Sequence, residues 1–570
     1  PLDLLAYILG NGDQSLLHSL LVTNKKIATS VSVNSITPMA DYGYFEISIE
    51  STEDPQEIVK LVQDFLDKYR LFRIDSQTIK KALFQKRNEY ILSKVSLDNY
   101  VKEVGQAMMM GQDPLFFKYY SENFNSIKAG DLQRVIKTYL NESKRQVYAF
   151  NPPVQSVDQL AESQKDPVEV ISLNNTDVFL IPESNNQIVR LSIQFEGGIL
   201  ADLNQPGIGA LTEKLIGKKV TGISRAQFQN EFESRGASIS ASLSHNHLTV
   251  SMLSTADDAD VLLPLFFSAV LDFDCTLTML DEAKEKLVNE INKQNESWFK
   301  EAFVKFKAIV FQDSSPFSRP LNGSAESINQ FSIDDVKAYV KQRVSESRMK
   351  INVQAKNPKQ YVQKISSLIP PKSDAIKIEE WPSLRPAGLY TETLERPVGV
   401  VLRVSAVNYP SLTVKSWLTV QVIDAILSGM RYPSGLLHER LRGQELVYVV
   451  HVVPMKMGEQ DFLFLYALTE PHQVELVNTI VGQTFKEIRT DISLAQIKQA
   501  KAQVLFNYQS SMQNISDRAR QYGLMWDYFG RFPTEEEIID QLNQITIKDV
   551  KEAVNEWLQK PTSILFNAGK

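Results

Sequence analysis

Three stretches of the chain alternate apolar and polar residues with a period of two: Ile27 to Glu50 around Pro38 and Asp41, Ala237 to Leu253 around His245 to His247, and Val447 to Leu468 around Gly458 and Glu459. That pattern predicts hairpins with one face buried. Each gives way at once to helical spacing. Asp54-Pro55-Gln56-Glu57 supplies a cap, a proline at the first helical position and an acid at the third, and counterparts begin near Asp257 and Glu470-Pro471. Leu494 to Tyr508 continues as a longer amphipathic helix. Two of the stretches are preceded by a further strand, carried by Val189, Leu191, Ile193 and Phe195 and by Val398, Val400, Leu402 and Val404.

The pattern therefore repeats. Asp131-Leu132, Asp335-Val336 and Asp549-Val550 each open a helix after a short turn, at intervals of roughly 200 residues, a whole domain rather than a solenoid repeat. We expect an α+β protein of tandem homologous two-layer domains, each a mostly antiparallel sheet packed with helices. The boundaries are placed at 1–150, 170–370 and 385–570, with linkers at 151–169 and 371–384, where Pro152-Pro153 and then Pro370, Pro371, Pro382 and Pro386 interrupt both periodicities. The first copy has no opening strand. Ile8-Leu9 and Leu16-Leu17-His18 align with Ile426-Leu427 and Leu436-Leu437-His438, so the chain is expected to begin inside the helix after that strand, about twenty to thirty residues short of the third copy. A sheet lacking a strand exposes unpaired backbone groups, and an upstream segment is expected for that reason.

Composition narrows the function. A hydrophobic fraction of 43% and a charged fraction of 23% are those of a soluble globular protein. The net charge of -7, with both signs interspersed, argues against nucleic acid and against a polybasic membrane patch. No apolar run is long enough for a membrane span. Cys275 is the single cysteine, so an internal disulfide, a cysteine zinc site and a Cys-x-x-Cys redox site are excluded. Of the six histidines only His245 and His247 are close together. They are either a ligand pair on one side of a strand or a solvated turn, and spacing identifies no third ligand for them.

One helix draws attention by what it lacks. Gly209-Ala210-Leu211-Thr212-Glu213-Lys214 stands where a zinc-binding helix would be framed, yet Ala210 and Lys214 occupy the positions of its two imidazoles. Zinc-assisted peptide hydrolysis needs two imidazoles one turn apart and a nearby carboxylate to take a proton from water. Of this set Glu213 is present, and Glu290 lies at about the distance of a distal ligand. Neither holds zinc alone. Among other reaction types, no Gly-x-Ser-x-Gly elbow or phosphate loop occurs.

The segment Leu436-Leu437-His438-Glu439-Arg440-Leu441-Arg442-Gly443-Gln444-Glu445-Leu446-Val447-Tyr448 resembles the Leu-Arg…Leu-x-Tyr signature of pitrilysin-type, insulinase-like zinc peptidases, and Leu9-Gly10-Asn11-Gly12 is similar to the small-residue turn before it. The resemblance covers nearly the whole chain. It implies four homologous domains arranged as clamshell halves around a closed chamber, of which this chain holds domains two to four. The third is degenerate at the inverted His-x-x-Glu-His motif, with Glu213 at the base position. It further implies that zinc is carried by a missing N-terminal domain or a partner chain and that none is bound here. Tyr448 and Arg442, with Arg440 as substitute, would reach the peptide and steady the charge developing on its scissile carbonyl, a task suited to hydrogen-bond donors that need not lose a proton. The alternative is structural: Tyr448 starts a half-buried strand and Arg442 closes a helix end. In the first copy Leu20-Leu21 and Thr29 replace Leu-Arg and Tyr.

The expected function is thus the non-metal-bearing part of a zinc-dependent endopeptidase that degrades peptides or unfolded segments, with the isolated chain inactive. The other expectation is a non-catalytic structural or partner subunit of the same fold. Peptide substrate and the zinc-bearing domain or chain are the implied partners. Compartment stays open between periplasm and cytoplasm, the resemblance leaning to the periplasm.

Overall fold

A computed structural model describes the chain apart from residues 11–14, 26, 29, 40–41, 52, 81, 84–85, 87–96, 111, 114–115, 117–118, 120–123, 150–167, 184–186, 203, 294–296, 372–382, 430–434, 513–514 and 569–570. Nearly all of the two expected linkers lies outside the described residues. The rest forms two compact units. One holds the described residues up to 149 together with His438–Glu445, the other the remainder from 168 onward.

In the first unit the helix Leu2–Gly10 leads to a short helix, Leu16–His18, that continues as a π-helical turn, Ser19–Asn24. The hairpin follows, β1 (Ser30–Met39) against β2 (Tyr42–Glu50), antiparallel with Val31 opposite Ile49 and Val33 opposite Ile47. Asp54 accepts a hydrogen bond from the backbone N–H of Gln56 at 2.8 Å and so starts the helix Pro55–Leu71. Leu5, Leu9, Leu17, Leu21, Val33 and Leu132 close the core.

The second unit contains two sheets. The first has the order β3-β4-β8-β5-β7-β6, with β3 Glu169–Leu173, β4 Thr176–Pro182, β5 Ile188–Glu196, β6 Ser238–Leu243, β7 His247–Thr255 and β8 Met349–Ala355. The second has the order β11-β12-β10-β13-β9, with β9 Leu389–Leu394, β10 Gly399–Val407, β11 Val449–Met457, β12 Gln460–Thr469 and β13 Thr562–Ala568. Apart from β3 the two are the same topology. The opening strand β5 or β10 lies antiparallel between the second hairpin strand and the last strand of its repeat, and that last strand runs parallel to β4 or β9.

The helices expected at Asp131, Asp335 and Asp549 are Ala129–Tyr139, Ile333–Glu346 and Ile547–Trp557. In each, the acid accepts from the N–H of the residue before the helix: Lys128 at 2.9 Å, Ser332 at 2.7 Å and Thr546 at 2.7 Å. Ser332 and Thr546 return a hydroxyl acceptor to complete a capping box, which a lysine cannot do. The apolar residue next to each acid, Leu132, Val336 or Val550, is fully buried.

The central strands of both sheets are covered on both faces, which the alternation alone did not reveal. In β10 every residue from Gly399 to Ser405 is buried. Val400, Leu402 and Val404 meet the helix Trp298–Val310, where the Phe306 and Phe464 rings lie 4.9 Å apart. On the opposite side Arg403 donates to the Asn478 carbonyl at 2.8 Å. In β8 the alternate positions are polar, and the helix Ile515–Phe529 meets two of them: Lys350 pairs with Asp527, and Gln354 donates to the Ile515 carbonyl at 2.8 Å, while Asn352 donates to the Ser192 hydroxyl at 3.0 Å. A helix of each repeat thus covers the sheet of the other.

Candidate functional site

The helix at the degenerate position is short, Ile208–Leu215, and follows β5 through a tight turn, Gly198–Asp202. Asp202 fixes its start by accepting from the N–H groups of Gly207 at 2.9 Å and Gly209 at 3.1 Å. Both glycines are required. Gly207 has φ of 92°, and a Cβ on Gly209 would lie 2.6 Å from the Asp202 carboxylate and 2.9 Å from the Tyr339 hydroxyl. Burial pushes the Asp202 carboxyl up to about 7, against the pull of those two N–H donors and the Tyr339 hydroxyl.

Three of the four expected residues of this position come together. Ala210 is fully buried in the core beside Leu211 and presents only a methyl group. Lys214 extends to Glu290 on the neighbouring helix Leu277–Asn292, with Nζ 2.9 Å from Oε2, and lies 4.0 Å from Oε2 of Glu213. Burial raises the Glu213 carboxyl, Lys214 opposes that, and the like charge of Glu290 adds to it. An ammonium with no lone pair therefore stands between the two carboxylates where a metal would need its ligands. These residues do not fit zinc, which requires at least three donors converging from deprotonated side chains. Among the described residues no group of three or more His, Cys, Asp or Glu could hold a metal ion.

His245 and His247 require a correction. The turn that carries them is only partly solvated: Ser244 is exposed, and both imidazoles are half-buried. His245 lies 6.2 Å from the Phe303 ring and 6.5 Å from that of Phe317, and its Nε2 is buried. His247 opens β7 with Nε2 3.6 Å from Asp527. Burial lowers the first imidazole to about 3 and the second to about 4, so both are neutral near pH 7. The apolar surroundings come from residues more than 50 positions away, which no local pattern announces.

The signature residues fall in different units. Arg440 and Arg442 belong to the π-helical turn His438–Arg442 of the first unit, closed by the Gly443 N–H on the His438 carbonyl at 2.9 Å. The corresponding stretch of the first repeat makes the same turn, with Lys25 N–H on the Leu20 carbonyl at 3.0 Å. The Arg442 carbonyl accepts from Glu445, a non-glycine residue at φ of 63°. Among the described residues the Arg442 guanidinium makes no ion pair. Tyr448 belongs to the second unit, immediately before β11. Its N–H donates to the Leu468 carbonyl at 2.8 Å, and its hydroxyl donates to the carboxylate of Glu470. Burial, then that carboxylate, raise the phenol. It stays a donor at any physiological pH.

Sequence reading missed a charged group around Glu196, Lys350 and Asp527. Its members are far apart in the chain, with Asp527 in a different repeat from the other two, and alternation in β8 marked Lys350 only as a polar position.

Comparisons with known proteins bear on the family and the fold. A model of the peptidase M16 inactive domain matches residues 1–86 and 330–504, and one of insulinase (peptidase family M16) matches 178–322, the part containing Ala210 to Glu290. The chain is 18% identical over 355 residues to an uncharacterized zinc protease of Rickettsia bellii, covering 62% of this chain and 85% of that protein. It is 21% identical over 411 residues to the mitochondrial-processing peptidase subunit beta of Saccharomyces cerevisiae, covering 68% and 87%. The crystal structure of a peptidase M16 inactive domain from Pseudomonas fluorescens has the same fold, with a TM-score of 0.63 and 19% identity over 70% of this chain and 98% of that one. No helix among the described residues is long and apolar enough to cross a membrane.

Proposed function

The chain belongs to peptidase family M16, and from that premise we propose that it is the non-metal-bearing part of a zinc-dependent endopeptidase acting on peptides or unfolded segments, the zinc being carried by another domain or a partner chain. The observation that carries this reading is the Lys214 ammonium 2.9 Å from Glu290, at the position where a catalytic member of the family would present a ligand. The chain's own contribution is binding and orientation within a chamber closed against the zinc-bearing half. Tyr448 and Arg442 act there as hydrogen-bond donors to the substrate backbone, with Arg440 the substitute for Arg442. Tyr448 exchanges Glu470 for the substrate carbonyl, where a donor aimed at developing charge is most effective.

A second reading is supported by the yeast relative, itself by name one subunit of a peptidase, and by the inactive-domain match on both sides of the insulinase match. In it the chain is a non-catalytic structural or partner subunit. Cleavage of a quenched fluorescent peptide separates the two. Activity that requires this chain together with a zinc-bearing partner, and that falls on Tyr448→Phe or Arg442→Ala, supports the first. A stable complex whose cleavage ignores both substitutions supports the second.

A further inference from the structure

Where the two hairpin tips of the second unit meet, the Asn246 side chain accepts from the Gly458 N–H at 2.9 Å, and beside this contact a cleft of about 260 Å³ opens. Its lining includes Glu196 at the end of β5, Leu200, Arg348, Glu459, Trp526 and Asp527. The charges here can be matched one by one. Asp527 pairs with Lys350, Glu459 with Lys456 at 3.6 Å, and Arg348 with Asp177 at 3.2 Å. The remaining lining imidazole, His247, is neutral for the reason given above. Glu196 is left over. Among the described residues it makes no ion pair, and its Oε2 is buried without a hydrogen-bond partner. Burial raises its carboxyl, opposed by Lys350 and Arg348 at longer range and assisted by Asp527 and Glu459.

An unpaired carboxylate in a small cleft is an unmet demand for a cation. The rest of the lining says which kind. A divalent metal needs several convergent oxygen or nitrogen donors, and the described residues supply no such set. Trp526 and Leu200 instead offer an indole and an aliphatic side chain, surfaces suited to an alkyl chain and to a cation beside an aromatic ring. The volume lies below the roughly 300–1,000 Å³ of drug-sized pockets, so the fitting ligand is small. We propose that this cleft binds a small free organic ammonium ion, a protonated primary alkylamine, with Glu196 as its counter-ion and Trp526 and Leu200 against its carbon chain. This site does not depend on the peptidase reading.

Isothermal titration of the 570-residue chain with n-butylammonium chloride tests it, with 1-butanol and sodium chloride as controls for shape and ionic strength. Saturable binding of the amine alone is expected. Glu196→Gln keeps the side-chain shape, and its folding is checked by circular dichroism; it should weaken binding about tenfold to a hundredfold. Asp527→Asn frees the Lys350 ammonium to compensate Glu196 internally and should weaken binding as well. No saturable binding by the unmodified chain, equal binding of 1-butanol, or either folded variant binding as tightly as the unmodified chain would overturn the proposal.

Discussion

Lys214 Nζ lies 2.9 Å from Glu290 Oε2 and 4.0 Å from Glu213 Oε2, tying the helix Ile208–Leu215 to the helix Leu277–Asn292 through one positive charge. A bound cation would make the same cross-link. Here the side chain supplies it permanently, so integrity of this position requires no metal.

Replacing Lys214 by Met keeps the apolar stem but leaves two carboxylates facing each other. With Lys214 mostly buried and Glu290 40% exposed, the pair falls between surface and interior cases. The expected loss is about 1–2 kcal/mol in urea unfolding at a pH of about 7.5. Adding Glu290→Gln should restore part of it, and a double-mutant cycle showing no coupling would contradict the cross-link.

Tyr448→Phe removes a single hydroxyl hydrogen-bonded to Glu470. Stability should fall by only about 1.5–3 kcal/mol, the range for a bond to a charged group. In the active assembly kcat should drop about 100-fold to 1,000-fold with a much smaller change in KM, as for the loss of a donor used in the transition state. Parallel loss of kcat and folding would instead mark Tyr448 as structural.

Asp424 is half-buried on the helix Val414–Leu427, and its removal from water pushes its carboxyl up to about 7, against the Ser428 hydroxyl that donates to it at 3.1 Å. A folded-state value above the unfolded one means that the native state binds the extra proton between about pH 4 and pH 7. Stability therefore falls as pH rises through that window. Asp424→Asn should remove this slope and stabilise the protein at about pH 8 by a few kcal/mol, because each tenfold change in proton affinity is worth about 1.4 kcal/mol, while changing little at about pH 4. Denaturation midpoints at the two pH values decide it. A variant equally stabilised or destabilised at both would rule it out.

Phe306 is 1% exposed and touches the core beneath β10 and β12 from a helix of the other repeat. Phe306→Ala should cost about 3–5 kcal/mol. Because that core belongs to both repeats, guanidinium unfolding of residues 168–568 should remain one transition shifted to lower denaturant. Two transitions, only one of them shifted, would show that the sheets unfold separately.

Local chemistry was readable in the sequence. The three hairpins, the cap at Asp54 and the recurring acids at 131, 335 and 549 depend on residues a few positions apart, and each forms where spacing placed it. Ala210 and Lys214 could be recognised as misfits for the same reason. The partners of β8 could not be, because Lys350 meets Asp527 and Gln354 meets Ile515 only after two distant repeats pack. The burial of His245 among Phe303 and Phe317, and the unmatched Glu196, likewise follow from tertiary packing that no period of 2 or 3.6 encodes.

The most direct measurement is the zinc content of the purified 570-residue chain, taken by plasma mass spectrometry after dialysis against zinc-containing buffer, alongside its cleavage of a quenched peptide. The expected result is zinc far below one ion per chain and no cleavage. One tightly held zinc per chain, lost together with peptide cleavage on Glu213→Gln or Glu290→Gln, would contradict the account.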